Sequence, residues 1–217
     1  MTCPKECVIA FALPTTEQGF GWSAQQEHSD YVHRFAAGWD QYRGVCEDLR
    51  HCINQCTKVG VQIVEQVTFE QWHPLFCNRV VALFAHWITG TRTAGGLELA
   101  QHSESNGLVE LWDCRASVSD LVEAIPEGFD GVLDLSVCHP STLVDKIKRC
   151  RRNCTVRYFP NEVLPSVWAE MYVAVFKYLG QFREGSGGGN SKSEGDYCDV
   201  LEQVAREFGT QAGGRQK

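Results

Sequence analysis

The chain has 217 residues, 43% of them hydrophobic, with six Trp and eleven Phe, enough to bury one large core within the size of a single domain plus an appendage. A formal net charge of -7 argues against a surface that tracks phosphates, so nucleic acid is not an expected partner. No apolar run approaches the ~20 residues of a membrane span, so no membrane partner is expected either.

Cys7 to Leu13, with its apolar stretch CVIAFAL, is too short for a signal peptide and reads as the first strand. A turn-rich loop holding Pro14, Gly19 and Gly21 follows it. From about Ala24 to Lys58 the apolar positions Val32, Phe35, Trp39, Tyr42, Val45, Leu49, Ile53 and Cys56 recur every three or four residues. That spacing predicts one long amphipathic helix ended by Gly60. Gly38 and Gly44 lie inside it, each weakening it by up to ~1 kcal/mol, and mark where it would kink or break.

Val61 to Val67 reads as a second strand, with Val61, Ile63 and Val67 on one face by period two. Thr68 then caps a short helix, with Gln71 in the capping-box position. Arg79 to Ala85 is a third strand, almost wholly apolar, and it delivers His86. Beyond His86, the runs GLELA and GLVELWD flank the polar turn HSESN, which predicts a hairpin over residues 88–107 hanging above a cleft.

Ser117 caps a helix through Ala124, stopped by Pro126 and Gly128. Gly131 to Val137 is a fourth strand, closing in Cys138, and Thr155 to Phe159 a fifth, with a helix from Ser141 to about Lys148 between them. The basic run Lys146, Lys148, Arg149, Arg151 and Arg152 reads as a solvated helix face and its exit. Pro165, at a first-turn position, opens the apolar helix VWAEMYVAVFKYL. Strands alternating with helices give an α/β fold, a mainly parallel sheet with helices on both faces.

That body spans residues 1–182. Residues 183–195, with GSGGGNSKSEG, form a flexible linker by composition. Residues 196–217 carry a short amphipathic helix, marked by Val200, Leu201, Val204 and Phe208, and a tail. This helix, over residues 196–210, either docks back on the body or binds an activating protein partner.

Eleven cysteines in a chain with so rich a core point to reduced thiols in the cytoplasm, not to the disulfide scaffold of a short secreted domain. Cys52 and Cys56, with His51 nearby, share a helix face that would in principle grip zinc. They also continue the apolar stripe of Cys46, Leu49 and Ile53, so core packing is the simpler account and no metal is expected.

His86 and Cys138 have a different setting, since each closes a buried strand. In open α/β sheets the ligand crevice lies outside the carboxyl ends of the strands, so the two side chains would meet across one cleft. A thiol is mostly protonated at neutral pH, and a neighbouring imidazole can take its proton and later protonate a leaving amine. No phosphate-cradling turn follows the first strand, because ALPTTEQGFG matches neither a Walker loop nor a dinucleotide fingerprint.

The order of elements, with VVALFAHW, then LVELWDCRASVSDLVEAIP, then GVLDLSVC, then VRYFPNEVLPSVWAEMYVAVFKYL, resembles the caspase and hemoglobinase superfamily of cysteine peptidases, most nearly its CHAT domains. The resemblance spans roughly residues 6 to 180. It implies a caspase-like fold and a cysteine endopeptidase with His86 as base and Cys138 as nucleophile, and no cofactor. It also implies regulated cleavage of a protein substrate, as in cell death or defence.

The oxyanion donors it implies are the backbone N–H groups of Cys138 and Trp87, the latter standing where the family usually has Gly. Ser136, on the nucleophile's strand, would line the pocket for the residue before the cut. Arg157 and Glu162 leave an acidic and a basic preference both open. The rival reading is an inactive caspase-like module that binds or scaffolds.

Overall fold

The computed structural model describes residues 4–88, 91–93, 96–98, 107–138, 140–159, 164–184 and 197–208. Its first half runs β1 (Cys7–Phe11), α1 (Glu17–Ser23), α2 (Trp39–Lys58), β2 (Gln62–Glu65), α3 (Phe69–Trp72), β3 (Val80–Phe84), β4 (His86–Ile88), β5 (Thr91–Thr93) and β6 (Gly96–Glu98). Then come β7 (Leu108–Glu110), β8 (Arg115–Ser117), α4 (Val118–Glu123), β9 (Val132–Ser136), α5 (Ser141–Cys150), β10 (Thr155–Tyr158), α6 (Pro165–Glu184) and α7 (Tyr197–Glu207).

Five strands form one parallel sheet in the order β10-β9-β3-β1-β2. The apolar runs explain the order: every residue of β1, β3 and β9 is buried, as central strands covered on both faces must be. The edge strands β2 and β10 keep exposed or half-buried positions.

Period two divides the core. Ile9, Phe11, Ala82 and Phe84 pack against α2, α6 and α7, while Val8, Ala10, Val81, Leu83, Leu133 and Leu135 pack against α3, α4 and α5. The fold is therefore α/β with helices on both faces. None of the described helices is long and apolar enough to cross a membrane.

Three expectations change. The helix expected from Ala24 begins only at Trp39, because Gly38 adopts φ 63° and ψ -137°, outside any helix. Tyr31 and Phe35 before it, Phe20 of α1 and Trp39 at its start gather around Tyr42 in its first turn. The apolar spacing of Phe35, Trp39 and Tyr42 thus serves an aromatic cluster between the loop and the helices, and a tight turn over Val32–Arg34 interrupts that loop. The preceding loop contains α1, capped by Thr16, whose hydroxyl accepts from the Gly19 N–H at 3.0 Å.

The hairpin pairs differently from the expected partnering of GLELA with GLVELWD. β6 pairs with β5, and β7 pairs with β4 on one side and β8 on the other, all antiparallel. Residues 89–90, 94–95 and 99–106 lie outside the described ones, as do 185–195 of the expected linker and residue 196.

The C-terminal helix docks on the body. Tyr197, Cys198, Val200, Leu201 and Val204 of α7 are buried in the same core as β1, α2 and α6. The apolar face that the sequence also offered to a partner is thus occupied within the molecule.

Candidate active site

The site grows out of the two neighbouring strands β3 and β9. Phe84 and Ser136 are register partners, and the Ala85 N–H donates to the Ser136 carbonyl at 3.4 Å. Two residues beyond that pair each strand leaves the sheet, β3 delivering His86 into β4 and β9 delivering Cys138. His86 and Cys138 line one cavity of about 200 Å³, with Leu13 from the end of β1. This is where the strand order reverses, between β1 and β3, the switch point at which α/β sheets open a crevice.

Cys138 is half-buried and outside any disulfide, as are all the described cysteines. His86 is 4% exposed. Burial pushes its pKa down to about 4, and the Arg34 cation adds to the shift, while Asp30 pulls the other way. The imidazole is therefore neutral at neutral pH, the form a base requires. Tyr31 stands beside both groups: its ring centroid lies 5.4 Å from that of His86. Burial and then the nearby Cys138 raise its phenol well above the ordinary range.

The 29–31 segment reaches the site because Glu110 grips it. The buried Glu110 carboxylate accepts from the Ser29 hydroxyl at 2.7 Å, the Asp30 N–H at 2.8 Å and the Tyr31 N–H at 3.0 Å. Burial raises the carboxyl's pKa, and these three donors oppose that shift. Asp30 Oδ2 is thereby held 3.4 Å from His86 Nε2, with Arg34 Nε at 3.6 Å from the same oxygen.

The remaining expected site residues divide. Ser136 lines the cavity, and its hydroxyl lies 3.0 Å from that of Tyr172. Trp87 sits in β4 opposite Val109 with its indole in the core, packed so closely over Gly107 that a Cβ there would come within 1.8 Å of the ring. Arg157 is not brought to the cavity. It is 1% exposed, and its Nη1 donates to Glu202 Oε1 of α7 at 3.0 Å. Its register partner Asp134 accepts from the Tyr197 hydroxyl at 2.7 Å, so both belong to a buried polar network beneath α7. Glu162 lies outside the described residues.

Sequence reasoning missed Asp30, Tyr31, Arg34 and Glu110. The first three lay inside a stretch whose periodicity read as helix. Glu110 lay on the face of an alternating run opposite Val109 and Leu111, where an acidic residue signals solvent. Cys52 and Cys56 are fully buried with their sulfurs 3.8 Å apart, in the packed setting the apolar stripe predicts. Compared with models of known protein families, the chain matches none, and comparison with curated proteins gives no match either.

Proposed function

We propose that the protein is a cysteine endopeptidase of the caspase-like, CHAT-like type, with Cys138 as nucleophile and His86 as base and then acid. The observation that carries this reading is the single cavity, at the carboxyl ends of adjacent parallel strands, that both side chains line. The neutral His86 takes the thiol proton, and Sγ attacks the scissile carbonyl of a protein substrate. The imidazolium then protonates the leaving amine, and water hydrolyses the thioester. The backbone N–H groups of Cys138 and Trp87 are the oxyanion donors in this reading.

Tyr31, Phe35 and Trp168 give the cavity aromatic walls for one substrate side chain. Arg34 is the one cation among the described lining residues, which favours an acidic residue before the cut over a basic one. Regulated proteolysis in the cytoplasm, in cell death or defence, is the role the resemblance suggests. A reactive thiol of this kind suits a reducing compartment.

The test is a panel of peptidyl acyloxymethyl ketones that differ in the residue before the reactive carbon, with adducts mapped by mass spectrometry. Cys138 should react fastest with the acidic member, and His86→Ala should suppress that reaction. Cys77 and Cys150 are exposed and serve as internal references. If Cys138 reacts no faster than they do with any member, the inactive scaffold is the correct reading.

A further inference from the structure

We propose that Asp30 is the positioning residue for His86, and that Glu110 keeps Asp30 in place by binding the backbone of its loop. The inference rests on the reading of His86 as the base for Cys138. His86 Nε2 is buried and makes no hydrogen bond in the resting geometry, and the Asp30 carboxylate stands 3.4 Å from it. Hydrogen bonds of catalytic groups are often long before substrate binds, and a small ring rotation closes this one.

A carboxylate at Nε2 selects the tautomer that carries its proton there and leaves the lone pair on Nδ1. As the thiol reacts, Nδ1 receives the Cys138 proton, and Asp30 stabilises the imidazolium that forms. No other reactant enters the step. Among the described residues, the charged and titratable groups facing His86 are Asp30, Arg34 and Tyr31 from the 30–34 segment, Glu110 from β7 and Cys138 beyond β9.

Glu110 ties this arrangement to the strand that bears the base. His86 and Glu110 are directly opposite in the β4–β7 ladder, so their side chains leave the same face. One reaches the Asp30 carboxylate and the other binds the Asp30 N–H at 2.8 Å. Asp30 and His86 thus hang on one ladder, and their separation is set by it. Arg34 shares the Asp30 carboxylate from a half-exposed position.

The full-length protein is treated with iodoacetamide from about pH 5 to about pH 9, and the rate at Cys138 is followed by peptide mass mapping. Thiolate fraction sets that rate, so its midpoint reports the thiol's apparent pKa, with about a tenfold fall in rate for each pH unit below it. Cys138 should show a lower midpoint than Cys77 and Cys150. Asp30→Asn should raise the midpoint and slow labelling about tenfold at neutral pH, and Asp30→Glu should regain most of the loss. Glu110→Gln should move the midpoint in the same direction by less.

A wild-type midpoint in Asp30→Asn overturns the proposal if His86→Ala still slows Cys138. If His86→Ala changes nothing, the base reading itself has failed and Asp30's role falls with it. Should Asp30→Asn not fold, nitrogen-15 NMR of the wild-type His86 ring decides. A proton on Nε2 supports the proposal, and a proton on Nδ1 overturns it.

Discussion

His86 carries a cost that pH can reveal. Its folded pKa of about 4 lies below the ordinary 6.5, so between those values the unfolded chain binds more protons than the native state. The neutral imidazole's contribution is fully present above pH 6.5 and is lost as pH falls through about 4, a change on the order of 3 kcal/mol. Asp134 slopes the other way, because burial raises its carboxyl from 3.8 to about 6, and its contribution is lost as pH rises through that window. The two overlap, so the measurement is a difference. Urea unfolding of wild type and His86→Asn, compared at pH 7 and pH 4, should show the wild type losing stability relative to the variant. An unchanged difference would mean that the buried ring is not held neutral.

At the scale of elements, the β4–β7 ladder is matched to one glycine. Gly107→Ala would drive a Cβ into the Trp87 indole, and overpacking of this kind costs ~1–3 kcal/mol. Trp87→Leu leaves a void at the same place. The double variant should therefore be less destabilised than the sum of the two singles, measured by denaturant unfolding, since each substitution relieves the other. Additive losses would show that the two residues do not share this space.

Most elements were legible in the chain because their signals are local. The buried runs of β1, β3 and β9 announce central strands, and the Thr68 capping box and Ser117 cap sit where side-chain chemistry puts them. The segment from Ala24 to Gly38 was not legible. Its apolar spacing fits a helix, but Tyr31 and Phe35 close instead around Tyr42 of α2, their ring centroids 6.0 and 4.9 Å from it.

For the whole molecule, α7 joins the last described residues to the core that contains the first strand. Deleting 197–217 would expose Tyr172 and Phe176, strip Val200, Leu201 and Val204 from the core, and remove Tyr197 and Glu202 from Asp134 and Arg157. Burying each such apolar side chain contributes ~1.5–3 kcal/mol, and Arg157 would lose both its cover and its Glu202 partner. The shortened chain should melt well below the full one by calorimetry. An unchanged melting temperature would mark α7 as a separable appendage, as its linker composition alone suggests.

The sequence by itself determined the α/β class, the three central strands and the delivery of His86 and Cys138 to strand ends, because apolar runs and turn chemistry act over neighbouring residues. Only the tertiary structure decided what surrounds those two side chains. Tyr31 and Arg34 reach the cavity, and Asp30 reaches His86, through a loop that no periodicity predicts, held by a Glu110 whose partners lie about 80 positions away in the chain. Arg157, placed near the site by strand order, was turned instead beneath α7, since its side chain leaves the sheet on the face that α7 covers. Such long-range hydrogen bonds and burial depend on how distant segments pack, and no local pattern of residues encodes them.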